Sequence, residues 1–184
     1  MATLYFIIVI LKLRVEIIIE FNYCSIKKLN FIINGNNHTI VIDRTVKFYE
    51  GGKILIEGDT CYFEIGENTT IGKADFLMGE NSNRIVIGEN CMLSRDISIN
   101  TTDFHSIIDM NLNKKTNPAK DVLIGNHVWI GNRVYVNKDA TIGANSIVAA
   151  KSVVPGKFFE ENSIIGGIPA KVIKEGVTWD RRIL

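Results

Sequence analysis

Proline and cysteine are scarce in this 184-residue chain, with three of each. Cys24, Cys61 and Cys91 are odd in number and form no CxxC pair, so neither a disulfide framework nor a zinc knuckle is indicated. A reducing cytoplasm is the simplest setting. An excess of one charge is also missing: 21 Lys and Arg face 20 Asp and Glu, a net +1, which offers no basic field to nucleic acid. No apolar run is long enough to cross a bilayer. The amino-terminal one, Leu4 to Leu11, is eight residues long before Lys12, Arg14 and Glu16 interrupt it, against about 20 for a span. It lacks the basic flank and small-residue cleavage site of a secretory signal. GxGxxG, the Walker loop, GxSxG and the EF-hand loop are all absent, which leaves hydride transfer on a Rossmann domain and P-loop hydrolysis unsupported.

What is present is a globular balance, 46% apolar and 22% charged, at a length suited to one domain. Thirty Ile and 18 Asn stand out. Ile suits pleated strands and Asn tolerates left-handed turn positions, so many short strands joined by tight corners are expected.

A repeat fixes the architecture. Aliphatic residues recur every six positions at Ile124, Ile130, Val136, Ile142, Val148 and Val154. A smaller set stands two residues ahead of each: Val122, Val128, Val134, Ala140, Ser146 and Ser152. In extended chain, positions i and i−2 point to the same side, so each hexad sends one large and one small side chain inward and then turns. The spacing recurs at Ile42, Phe48, Ile54, at Ile65, Ile71, Leu77, and at Ile87, Leu93, Ile99. Three hexads make a turn of a triangular parallel β-helix, and the irregular gaps between triplets put every insertion at one corner. Five or six turns are expected. Residues 1–29 form a lead-in that caps the column, helix or strand being undecided by their pattern. Residues 30–175 form the β-helix, and residues 176–184 a short carboxyl-terminal tail or helix. The outward row Leu123, Trp129, Tyr135, Thr141, Ile147, Val153 is too apolar for free solvent and predicts cover by another subunit or a ligand.

The longest insertion, residues 103–121, reads as a functional protruding loop. It carries His105 flanked by Asp103 and Asp109. A histidine side chain, with an ordinary pKa of about 6.5, can take and return a proton near neutrality, and a carboxylate on its other nitrogen would hold the tautomer. His127 and Trp129 share a strand, the indole offering either an interface anchor or the edge of a groove. His38 lies several turns from the other two histidines, so one chain cannot gather all three around a metal. Lys171 and Lys174 in GGIPAKVIKEG stand where phosphates could be met.

These hexads, the segment NPAKDVLIGNHVWIGNRVYVNKDATIGANSIVAAKSVV and the ending SIIGGIPAKVIK resemble the hexapeptide-repeat acyltransferases. TTDFHSI followed by NPAKD resembles the sugar O-acetyltransferases of capsule and lipopolysaccharide gene clusters. The resemblance implies an all-β, left-handed parallel β-helix, a homotrimer with active sites between subunits, and acetyl-CoA as donor with no metal. It implies His105 as general base, with Asp103 the first candidate to orient it and Asp109 the second. It implies Trp129 on the acceptor side and Asn132, Ala150, Lys171 and Lys174 at the cofactor; His127, beside Trp129, and Asp109, in the loop, are read as further substrate contacts. Lys151 stands where many relatives have Gly, the Lys157-Phe158-Phe159 stretch is bulkier than usual, and His127 replaces a common Asp or Asn. The activity so implied is cytoplasmic O-acetylation of a sugar hydroxyl of a bacterial cell-surface polysaccharide or its precursor, by a soluble chain with no membrane span and no nucleic-acid partner. The alternative is N-acetylation of an amino sugar or nucleotide sugar on the same fold.

Overall fold

The computed structural model describes residues 28–184 in full and, before them, the backbone of strands Ile7–Leu11 and Val15–Ile19. No helix occurs among the described residues. The chain winds into a three-faced parallel β-helix. The first face is a seven-stranded sheet, Val15–Ile19, His38–Ile42, Tyr62–Ile65, Arg84–Ile87, Val122–Ile124, Thr141–Ile142 and Phe158–Phe159. At about 4.8 Å per strand these seven span about 29 Å. The other two faces merge into one twelve-stranded sheet, because Lys47–Glu57 and Thr70–Met78 run around the edge between them. The second face continues through Met92–Leu93, Trp129–Ile130, Ile147–Val148 and Ser163–Gly167, and the third through Ile97–Asn100, Tyr135–Val136 and Val153–Val154. Ala170–Glu175 folds back antiparallel on Ser163–Gly167 and ends the column. More turns form than the five or six expected, since Ile7–Leu11 and Val15–Ile19 pair in parallel with Leu29–Asn34 and His38–Ile42.

The hexad rule describes the interior. Both inward sets between Val122 and Val154, large and small, are buried. Edge-to-face Phe rings fill the early turns, with Phe63 and Phe76 at 5.0 Å between centroids. Each such ring buried adds about 1.5–3 kcal/mol over an exposed one. One position departs from expectation. Leu77 is not inward; Phe76 and Met78 are, opposite Ile54 and Ile56, because the step from Ile71 to Phe76 is five residues and shifts the phase by one.

The corners explain the asparagines. At the edge between the first and second faces Asn68, Asn90, His127, Asn145 and Asn162 all have φ between 54° and 61°. The His127 and Asn145 amides, like those of Arg133 and Lys151 at another edge, donate to a carbonyl one turn back: His127 to Glu89, Asn145 to Asn126. Asn is among the residues least penalised in this conformation. The insertions gather at the edge between the third and first faces, as the spacing predicted.

Candidate active site

Residues 103–121 leave the third-to-first edge as an arm. The Lys120 amide donating to the Thr101 carbonyl closes its base. Ile108–Asp109 pairs antiparallel with Lys114–Lys115, and Asp109 Oδ1 accepts the amides of Asn111 and Leu112 in the connecting turn. Asp109 is thereby occupied at the tip.

The stem is held by one side chain. Asn117, 9% exposed, accepts the Ile107 amide at 2.7 Å through Oδ1, while its Nδ2 donates to the His105 carbonyl at 2.9 Å and to Asp103 Oδ2 at 2.6 Å. Lys138, from the next turn, donates to the same Asp103 oxygen at 2.6 Å and to the Asn117 carbonyl at 3.0 Å. The Lys138 ammonium, and then Asn117, hold the Asp103 carboxyl below its ordinary pKa. In the single chain, therefore, Asp103 serves Lys138 and Asn117. The His105 imidazole is exposed and forms no hydrogen bond with the described residues.

His105 follows a strained bend. Phe104 has φ 59°, a left-handed conformation that costs a bulky residue about 1–2 kcal/mol, and its amide is met by Thr102 Oγ1. The bend brings the Phe104 ring over Gly79, where an added Cβ would lie 2.7 Å from Thr102 Cγ2 and 3.2 Å from the ring. Beneath the arm lies a hollow of about 490 Å³ bounded by Asp103, Asn117, Pro118, Lys120, Lys138 and Pro155.

His127 and Trp129 sit elsewhere, at the first-to-second edge and on the second face. Trp129 is 38% exposed and lies between Met92 and Ile147 of the neighbouring turns. His127 Nδ1 is 3.1 Å from Asn145 Oδ1. Both meet a side chain that sequence reasoning missed, Trp179, whose ring stacks on His127 at 4.4 Å and 8° and lies 6.0 Å from Trp129. The tail is thus neither helix nor loose end: residues 177–181 run back along this edge. Only the presence of a second tryptophan hinted at it.

Asn132 and Ala150 are exposed on the second-to-third edge in successive turns, joined by the Lys151 amide donating to the Asn132 carbonyl at 2.8 Å. Gly131 permits that spacing, since a Cβ there would lie 2.6 Å from the Ala150 nitrogen. Lys151 has φ 60°, a conformation glycine adopts freely. Lys171 and Lys174 are exposed on the terminal hairpin opposite Gly166 and Ile164. One chain therefore places the candidate base on one edge of the column, Trp129 on the second face, Asn132 and Ala150 at the edge just beyond it, and Lys171 and Lys174 on the terminal hairpin. Among the described residues no three His, Cys, Asp or Glu side chains converge to hold a metal ion.

Comparison with known proteins bears on the family and the fold. Residues 121–156 match the bacterial transferase hexapeptide (six repeats) family. The chain is 37% identical over 162 residues to a polysialic acid O-acetyltransferase of Neisseria meningitidis, a match covering 88% of this chain and 74% of that protein. It is 41% identical over 117 residues to a polysialic acid O-acetyltransferase of Escherichia coli O1:K1 / APEC, covering 64% of this chain and 38% of that one. Among solved structures, the polySia-specific acetyltransferase NeuO superposes with a TM-score of 0.70 at 28% identity, covering 92% of this chain and 89% of that one.

Proposed function

Since this chain belongs to the bacterial hexapeptide-repeat acyltransferases, enzymes built as left-handed parallel β-helices, we propose that it moves the acetyl group of acetyl-CoA to a hydroxyl of a cell-surface polysaccharide in the cytoplasm. Polysialic acid or its precursor is the acceptor suggested by its relatives. The observation that carries the mechanism is an exposed imidazole, with no hydrogen-bond partner among the described residues, on an arm whose backbone is braced by Asn117 and Lys138.

His105 takes the proton of the acceptor hydroxyl as its oxygen attacks the thioester carbonyl. A C–O bond forms, the C–S bond breaks, and the imidazolium returns the proton to the departing sulfur, leaving an acetyl ester and free coenzyme A. An alcohol near neutral pH is a poor nucleophile, and general-base help contributes about 10²–10⁴-fold. Asp103 acts through the arm: with Asn117 it holds the main chain on either side of His105. Trp129 and His127 line the acceptor side, and Asn132, Ala150, Lys171 and Lys174 meet the donor. Because the base and these groups occupy separate parts of the column, the site is completed between copies, the arm of one subunit of a homotrimer reaching the aromatic edge of the next.

The test is thiol release from acetyl-CoA with polysialic acid as acceptor. His105→Ala should lose about 10²–10⁴-fold in kcat while retaining affinity for acetyl-CoA. Turnover surviving in that variant removes the imidazole from the mechanism.

A further inference from the structure

Trp179 is 8% exposed although it belongs to a segment outside every strand. Its indole N–H donates to the His127 carbonyl at 2.7 Å. Two anchors flank it. The Val177 amide donates to the Asn162 carbonyl, and Arg181 donates to Thr70 Oγ1 at 2.9 Å and to the Cys91 carbonyl at 2.8 Å. Residues 177–181 thus form a strap laid across successive turns of the column, from Asn162 back to Thr70.

The identity of residue 127 links the strap to the site. Every other left-handed residue in that column of corners is Asn, at positions 68, 90, 145 and 162. The corner itself does not call for an imidazole. What an imidazole adds is a flat face, and Trp179 lies on it at 8°. The same indole lies 6.0 Å from Trp129, inclined at 49°, so the exposed ring of Trp129 is backed by a buried one.

The second observation is charge. The Arg181 guanidinium lies 5.6 Å from the Trp179 ring, and its bonds run to a hydroxyl and a carbonyl, both neutral. Asp180, its sequence neighbour, is taken by Arg182, whose Nη2 donates to Asp180 Oδ2 at 2.7 Å. No carboxylate pairs with Arg181 among the described residues. The part-exposed ring of Trp129 near an unneutralised guanidinium suits a sugar that carries a carboxylate, the ring meeting its C–H face and the cation its charge.

Resting on the reading of Trp129 as part of the acceptor side, we infer that the strap is a wall of the acceptor groove. Trp179 is a positioning residue that holds Trp129 and His127, and Arg181 selects acceptors bearing a carboxylate.

Trp179→Phe, Arg181→Gln, Arg181→Lys and Trp129→Ala are to be compared with wild type for the KM of polysialic acid, of carboxyl-reduced polysialic acid and of acetyl-CoA. Near-UV circular dichroism reports the coupling of the two tryptophans, the only ones in the chain. Trp179→Phe should lose that band and raise the polymer KM about 5–10-fold, with acetyl-CoA KM unchanged and kcat within about twofold. Arg181→Gln should raise KM about tenfold for the native polymer and leave the carboxyl-reduced one unaffected, while Arg181→Lys keeps part of the preference. An unchanged polymer KM in Trp129→Ala defeats the reading of Trp129 itself. A raised KM there, beside wild-type values in Trp179→Phe and Arg181→Gln, defeats the strap alone. Equal losses toward both polymers in Arg181→Gln reduce Arg181 to a tether, and a wild type inert toward polysialic acid removes the acceptor class with the wall built for it.

Discussion

On the arm, His105 is held through its backbone: Asn117 takes the carbonyl of His105 and the amide of Ile107, and the imidazole is left to solvent. On the strap edge, Trp129 and His127 are held ring against ring by Trp179, and Trp129 keeps part of its surface open. A base must move a proton and meet a partner that arrives from elsewhere, so a fixed main chain with an unengaged side chain suits it. A binding surface gains by losing motion before the ligand arrives, so stacked rings suit it. The two regions therefore differ in what a substitution should disturb: rate on the arm, acceptor affinity on the strap.

The largest break in that contrast is expected at Asn117. Asn117→Ala removes the acceptor of the Ile107 amide and the donor to both Asp103 and the His105 carbonyl, part-buried bonds that each contribute about 0.5–1.5 kcal/mol. Misplacing a catalytic group by about 1 Å can cost about 10²-fold. Asn117→Ala should thus lower kcat about 10- to 100-fold with both KM values nearly unchanged. A polymer KM that rises as kcat holds would merge the arm with the acceptor surface and dissolve the contrast.

A smaller break follows at Lys138. The Asp103 carboxyl is held low by the Lys138 ammonium and by Asn117, so its contribution to the brace is complete above the ordinary carboxylate range of about 4 and is lost as pH falls through the lowered value. Lys138→Met removes the larger cause. Protection of the Ile107 amide from hydrogen exchange should then fail at a higher pH, by no more than about one unit because Asp103 is partly exposed. A protection profile that stays in place would separate the Lys138–Asp103 pair from the brace.

The column was far easier to read from sequence than either of these devices. Hexads repeat, so Val122 to Val154 announce their direction many times over, and a corner column of Asn announces its conformation. The error at Leu77 arose where a five-residue step between Ile71 and Phe76 leaves the register only locally, with no repeat to reveal it. Asn117 was legible as part of a motif and illegible as a clamp, because its partners lie 10 to 14 residues away in an aperiodic loop. Trp179 reaches His127 across 52 residues. Nothing periodic connects them.

His38 supplies the control for the exposed His105 and the half-buried His127. It is buried, its Nδ1 accepts the Cys61 amide at 3.3 Å, and its Nε2, 3.2 Å from the Asn34 carbonyl, is therefore the donor. Burial lowers its pKa from about 6.5, so the folded protein resists a proton that the unfolded chain accepts. Stability is accordingly retained above about pH 6.5 and declines as pH falls through the lowered value. Thermal melts should show that decline in wild type and less of it in His38→Gln. An identical decline in both would assign the acid sensitivity to other groups.

The smallest expected effect distinguishes a wall from a lid. Cys91 underlies the strap, since Arg181 bonds its carbonyl, yet its thiol points into the column, where it donates to the Gly125 carbonyl and accepts the Val128 amide. Burial pushes its pKa up to about 11, so the thiolate that reacts with disulfide reagents is nearly absent at neutral pH. The associated stability is present below the ordinary thiol pKa of about 8.5 and is lost as pH rises through about 11. The strap meets the Cys91 carbonyl on the outer surface of the edge, and no hydrogen bond of the thiol runs to it. Trp179→Phe should therefore leave Cys91 as slow toward a disulfide reagent at pH 7.5 as in wild type, while Cys91→Ala should lose only the labelling that appears after unfolding. Rapid native-state labelling in Trp179→Phe alone would make the strap a cover for the core, and its effect on acceptor KM would then follow from loosened turns around Trp129.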